Sequence, residues 1–271
     1  NEPPKKEVLD YLKDHNLILA LEVKAKNSGY STSHALFKFE SFLGFLSFAE
    51  YISMTKFFAF ESDVYNNIHY DELVILTNNR ITWPQKHMLT SLKVNSKKDV
   101  EFQNYNNLLA MYDKIKGITN KSLWQLLEKL FFLYYKASNE NKTEYAFLNY
   151  WIIAETIIKA DNKAKSNEEM KSIMKFVIGD HIIQKRIDFL DRKRNNVVHR
   201  GETVTVDERD LMKIIAEQLL LIAVLEMRKL KNSEQFGYYL SNFRKKNKER
   251  NSYIDVLNLL NSENDKKNNS K

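Results

Sequence analysis

Cysteine is absent from this chain of 271 residues, proline occurs three times and glycine six times. Without a thiol there is no disulfide scaffold, no cysteine nucleophile, no iron–sulfur cluster and no cysteine-ligated zinc. The last proline is Pro84, so the remaining two-thirds of the chain lacks the strongest helix breaker and is expected to be helical. Long uncharged runs are missing as well. The most apolar stretch, Leu211 to Met227, carries Lys213, Glu217, Gln218 and Glu226, whereas a membrane span needs about 20 largely uncharged residues. An amphipathic or buried helix is expected there instead. No secretory signal is visible, so the expected location is cytoplasmic, with no membrane partner. The chain opens at Asn1 rather than at a methionine, and a missing N-terminal segment is allowed for.

What is present is enough for a core. Hydrophobic residues make up 43% and aromatics 12%, which excludes disorder as a description of the whole chain. The length fits one large domain or two small ones. A formal charge of +7 and a pI near 9.2 admit a nucleic-acid partner without demanding one, because net charge describes a field and not a site.

The first third reads as mixed. Leu17 to Val23 is a short apolar run of strand character. From Ser33, a plausible N-cap, Leu36, Phe37, Phe39, Phe42, Leu43, Leu46 and Ala49 recur near helical spacing. Leu73–Leu76 and Ile81–Trp83 flank Thr77-Asn78-Asn79-Arg80 as a hairpin would, and Pro84 is expected to end it. These features suggest a small α+β unit over residues 1–98.

Residues 99–261 read as a mainly α, antiparallel helical bundle. Tyr105 to Ile115 forms one helix, Ser122 starts a second, and Thr143 a third whose run to Ile158 is almost wholly non-polar and should lie centrally. Helices over 168–178 and 182–198 flank Gly179. Asp207 is expected to cap a long helix through Leu230, with two shorter helices after it. The tail over 262–271 is expected to be disordered.

One segment concentrates chemistry: Arg192-Lys193-Arg194-Asn195-Asn196-Val197-Val198-His199-Arg200-Gly201. At its plainest it is a helix end whose cations complement the macrodipole, closed by a glycine suited to a left-handed cap. Arg194 and His199 stand five residues apart, which puts them roughly 140° apart around a regular helix. Convergence then requires the chain to leave the helix near Val198, or two copies of the segment to face each other in a symmetric dimer. A histidine beside an arginine can move protons and clamp a phosphate. Those are the two services needed to cut RNA through its own 2′-hydroxyl without a metal.

The string Arg194-Asn195-Asn196-Val197-Val198-His199 resembles the R-polar-x₃-H signature of HEPN-domain proteins. Arg200-Gly201 is similar to the ending of the Apea-like branch, and Trp151 with Glu155 resembles that branch's W-x-x-x-E helix. The resemblance covers about residues 100–230. It implies a HEPN-like bundle that dimerises to build one composite site, acting as a metal-independent endoribonuclease on RNA, tRNA included. The products would carry a 2′,3′-cyclic phosphate and a 5′-hydroxyl. HEPN families serve toxin–antitoxin, abortive-infection and CRISPR systems, and some members are silent binding modules. Carried over, His199 is the general acid/base, Arg194 the phosphate clamp and Asn195 the orienting polar residue. Glu155 is a supporting carboxylate for Arg194, or else a helix-surface glutamate or the partner of another cation. Arg192, Lys193 and Arg200 would hold RNA. No cofactor or metal is implied. A regulatory or sensor partner would fit a toxic nuclease, with the N-terminal unit sensing, selecting or restraining.

Other signals are weaker. Glu22-Val23-Lys24 forms half of a metal-dependent nuclease pattern, but the upstream aspartates, Asp10 and Asp14, stand in the wrong context. The six histidines make no zinc-binding pair, and no phosphate-cradling glycine loop occurs. The aromatics between Phe37 and Phe60 fit a core better than base stacking. The basic run Phe243 to Lys248 fits a solvated face better than a phosphate track.

Overall fold

The computed structural model describes residues 28–51, 72–77, 80–86, 105–178 and 181–243. Among these lie eight α-helices: α1 (Ser28–Tyr51), α2 (Tyr105–Ile115), α3 (Lys121–Ser138), α4 (Thr143–Ile158), α5 (Asn167–Ile178), α6 (His181–Arg200), α7 (Val206–Glu226) and α8 (Ser233–Phe243). The strand expected at 17–23, the basic run beyond Phe243, the last short helix and the tail at 262–271 fall outside the described residues, as do Glu22 and Lys24.

The mainly α expectation holds. A separate α+β unit over 1–98 is not supported, because α1 is part of the bundle. It packs along α3, and its Phe48 ring meets Phe131 and Tyr134 at centroid distances of 5.9 and 5.5 Å. Contact is close because Gly44 sits at the crossing, where an added Cβ would lie 2.0 Å from the Phe131 carbonyl oxygen. Buried Glu40 meets Lys136 Nζ at 2.7 Å, which pairs a charge that could not otherwise leave water cheaply. The helix starts at Ser28, so Ser33 is an interior residue and not the N-cap. Strands β1 (Glu72–Thr77) and β2 (Arg80–Lys86) pair antiparallel, Ile75 opposite Trp83, with a register irregularity between Ile75 and Leu76. Pro84 does not end β2. It pairs with Val74 inside it.

Helix α3 begins because Asn120 Oδ1 accepts the amides of Ser122 and Leu123 at 2.8 and 3.3 Å, so the helix starts at Lys121, one residue before the expected Ser122, with Asn120 as its cap. Its buried residues Leu123, Leu127, Leu130, Phe131 and Tyr134 repeat at three- and four-residue spacing. Four residues, 139–142, return the chain into α4, which lies against both α3 and α7. Its Phe147, Ile153, Ala154, Ile157 and Ile158 are fully buried, as the non-polar run predicted. Helix α7 is capped by Thr205 and not Asp207. Thr205 Oγ1 accepts from Glu208 N, and Glu208 Oε2 accepts from Thr205 N at 2.8 Å, a reciprocal capping box. A buried polar link ties α3 to α7: Tyr134 Oη donates to Glu217 Oε1 at 2.6 Å, with Lys213 Nζ 3.7 Å from the same oxygen. Burial first, and the Glu217 charge second, hold the Tyr134 hydroxyl well above its ordinary pKa.

Candidate functional site

Helix α6 carries the motif, and its burial pattern decides where each motif residue faces. Ile183, Ile187, Leu190 and Val197 form the buried row. Arg194 falls into that same row, between Leu190 and Val197, and is half-buried for that reason. The helix runs unbroken through Arg200. Gly201 then takes φ +65°, its amide donates to Val197 O at 3.2 Å as in a left-handed cap, and the Glu202 amide donates to Asn196 O at 3.4 Å. No atom lies within 4 Å of where its Cβ would be. The glycine is thus required for its backbone angle and not for room.

The unbroken helix corrects one expectation: the chain does not leave the helix near Val198. Arg194 and His199 therefore remain about 140° apart, and one copy of the chain does not bring them together. His199 is exposed, with no hydrogen bond or ion pair among the described residues, and Arg192 and Arg200 are exposed beside it. Arg194 is held. Its Nη1 donates to Asn195 Oδ1 at 3.0 Å, and its guanidinium carbon lies 6.0 Å from the centre of the Trp151 ring.

Glu155 does not hold Arg194. Its Oε1 accepts from Lys159 Nζ at 2.5 Å, one turn along its own helix, where an i,i+4 cation is the nearer partner. The residue that reaches Arg194 from α4 is Trp151, one turn before Glu155. The tryptophan–glutamate spacing pointed to the right helix face and the wrong side chain on it.

Lys193 also has a different neighbourhood from that of a free RNA contact. Its Nζ lies 2.6 Å from Glu202 Oε1 and 3.3 Å from Glu208 Oε1, and its side chain is only 11% exposed. The hydrogen bond to Glu202 raises the Lys193 pKa, and the same bond lowers that of Glu202. Lys193 thus ties α6 to the 201–205 loop and to the first turn of α7. From the other side, Glu144 Oε1 accepts the Val204 amide at 3.3 Å while Val204 itself is buried. Glu144 gave no signal in the sequence beyond being acid in a first helical turn.

A groove of about 480 Å³ lies away from the motif, between α1 and α3, lined by Phe37, Lys38, Glu128, Lys129 and Phe132 among others. Its Lys38 and Glu128 are ion-paired. Among the described residues no group of three or more histidine, aspartate or glutamate side chains is placed to hold a metal ion, and no helix is long and apolar enough to cross a membrane. No protein-family model matches the chain, and neither a curated protein nor a solved structure matches it. Fold and site define a helical protein with a basic, glycine-capped helix that presents a histidine to solvent.

Proposed function

We propose that the chain is a metal-independent endoribonuclease whose working unit is a homodimer. One copy's Arg194 and the other's His199 would meet at a shared phosphate. The observation that carries this reading is the division of the pair over an unbroken helix. Arg194 is pre-oriented by Asn195 and Trp151, while His199 is unengaged at the surface. A guanidinium fixed in this way is suited to bidentate phosphate contact, and a free imidazole to proton transfer. In the reaction His199 takes the proton of the 2′-hydroxyl, the oxygen attacks the adjacent phosphorus, and the P–O5′ bond breaks as the 5′-oxygen leaves and takes that proton from the His199 imidazolium. Arg194 neutralises the charge that gathers on the phosphoryl oxygens. A role in antiphage defence or as a toxin follows from the motif resemblance.

The test is cleavage of total RNA and purified tRNA with chelator present, wild type against His199→Ala. Loss of a general acid/base should cost about 10²–10⁴-fold in rate, with 2′,3′-cyclic phosphate ends on the wild-type products. Equal cleavage by the two proteins, or cleavage that the chelator abolishes, would sink the proposal.

One observation favours a second reading, a non-catalytic module that binds a partner protein or RNA. Glu155 is committed to Lys159, so no carboxylate bond to Arg194 reinforces the pair in a single copy. Under this reading, overexpression is as well tolerated for the wild type as for His199→Ala.

A further inference from the structure

The face of α6 that carries His199 carries a row of its own. Lys185, Arg192 and His199 recur every seven residues, so each falls only about 20° round the helix from the last and about 10.5 Å further along it. All three are exposed, and none has a partner among the described residues. Half-exposed Asn195 and Asn196 flank the row near its His199 end. Arg194 is not in it, having turned inward with Leu190 and Val197.

The neighbouring charges sharpen the contrast. Of the carboxylates near the row, Glu202 at its His199 end is held by Lys193 Nζ at 2.6 Å and by Asn196, and Asp188 is covered by two lysines of α5, Lys175 Nζ at 2.6 Å and Lys171 Nζ at 3.4 Å. Lys175 first among these holds the Asp188 carboxyl below its usual range. Both acids are therefore engaged elsewhere and do not neutralise the row. Apolar content is low. Phe189 packs on the core, and Val198, exposed at 51%, lies about 120° round from Arg192. A face with cations and amides but no apolar wedge suits a polyanion backbone better than a bilayer, which an interfacial helix enters with an apolar side.

We infer that the outward row Lys185–Arg192–His199 is the track on which one RNA strand lies, the cations Lys185 and Arg192 meeting different phosphates about 10.5 Å apart along the helix and His199 standing at the end of the row. The track leads its phosphates to His199 and extends the binding surface two helical turns before the motif, to Lys185. This rests on the nuclease reading for the identity of the polyanion, but the row itself does not.

Binding is therefore measured separately from cutting. The full chain carrying His199→Ala is titrated by fluorescence anisotropy into a 2′-O-methyl RNA oligonucleotide over a range of salt concentrations. Lys185→Ala and Arg192→Ala are added singly and together, with Lys121→Ala on α3 as an exposed control. Each row cation removed should lower the slope of log Kd against log salt by about 0.7 and weaken all sequences alike. Lys121→Ala should do neither. In the His199-intact protein the same two variants should raise KM and leave kcat nearly unchanged. Row variants indistinguishable from the Lys121 control, a parent that binds no RNA, or tighter binding to anionic phosphatidylserine vesicles than to RNA would each overturn the track. Row-dependent RNA binding without any cleavage by the His199-intact protein would leave the track standing and remove the nuclease reading instead.

Discussion

Lys193 shows how a single side chain changes meaning when its neighbours are known. In the sequence it is the middle of three consecutive basic residues. In the fold it is the only one of the three given to two carboxylates, Glu202 and Glu208, which lie beyond the glycine cap. Its removal should loosen the segment that follows His199 rather than weaken RNA uniformly. Lys193→Met is expected to speed amide exchange at 201–205 while the salt slope of RNA binding stays at its wild-type value; a reduced slope would return Lys193 to the phosphate contacts. The pair also has a pH signature. Glu202 has a lowered folded pKa, so its contribution is present above the ordinary carboxylate value and is lost as pH falls through that value toward the lowered one. The side-chain amide resonances of Asn196, which bonds to Glu202, should shift over that acid window in the wild type, and the step should be missing in Glu202→Gln. At the core, Tyr134→Phe takes a hydrogen-bond donor from buried Glu217. A loss of about 1–3 kcal/mol in urea unfolding is expected, and an unchanged midpoint would show the link to be unimportant.

At the level of elements, the helices after residue 100 were legible because their apolar spacing is regular and breakers are few. Asn120 and Thr205 do not stand out as caps, because Ser122 looks as good a helix start and Asp207 as good a cap until the first turn is built. The hairpin ladder was readable from its turn residues, but Pro84 could join it because a proline needs only a ladder position that asks for no donor. The placement of α1 is the least legible part of the fold. Its phenylalanines suggested a helix, yet nothing local said that Gly44 and Phe48 would meet α3, more than 80 residues later. Long-range packing leaves no mark in a local period. The partial burial of Arg194 is legible in the sequence, since it continues the row of Ile187, Leu190 and Val197, although the motif string by itself carries no sign of it. The Gly44 crossing gives a direct test of α1 as part of the bundle. Gly44→Ala puts a methyl where the Phe131 carbonyl oxygen stands 2.0 Å away. It should destabilise the protein by about 1–3 kcal/mol in chemical unfolding monitored by circular dichroism. A variant with unchanged stability would mean that α1 does not sit on α3 in solution.

For the whole molecule the open matter is how two residues on different sides of one helix could act on one phosphate. A single copy keeps them apart, so the nuclease reading requires two copies, with Arg194 of one opposite His199 of the other. Two-fold symmetry then makes two equivalent sites per dimer, each drawing its arginine and its histidine from different chains. This arrangement predicts complementation between dead proteins. Arg194→Ala alone and His199→Ala alone should both be inactive. When they are mixed and allowed to exchange subunits, half of the dimers are mixed, and each mixed dimer holds one site with both groups intact and one with neither. About a quarter of wild-type cleavage should return, rising to that level at the rate of subunit exchange. If each site instead takes both residues from one chain, every site in the mixed dimer lacks one group and no activity returns. A chain that stays monomeric at concentrations where it cuts would exclude the shared site altogether, and sedimentation velocity under assay conditions reads that directly.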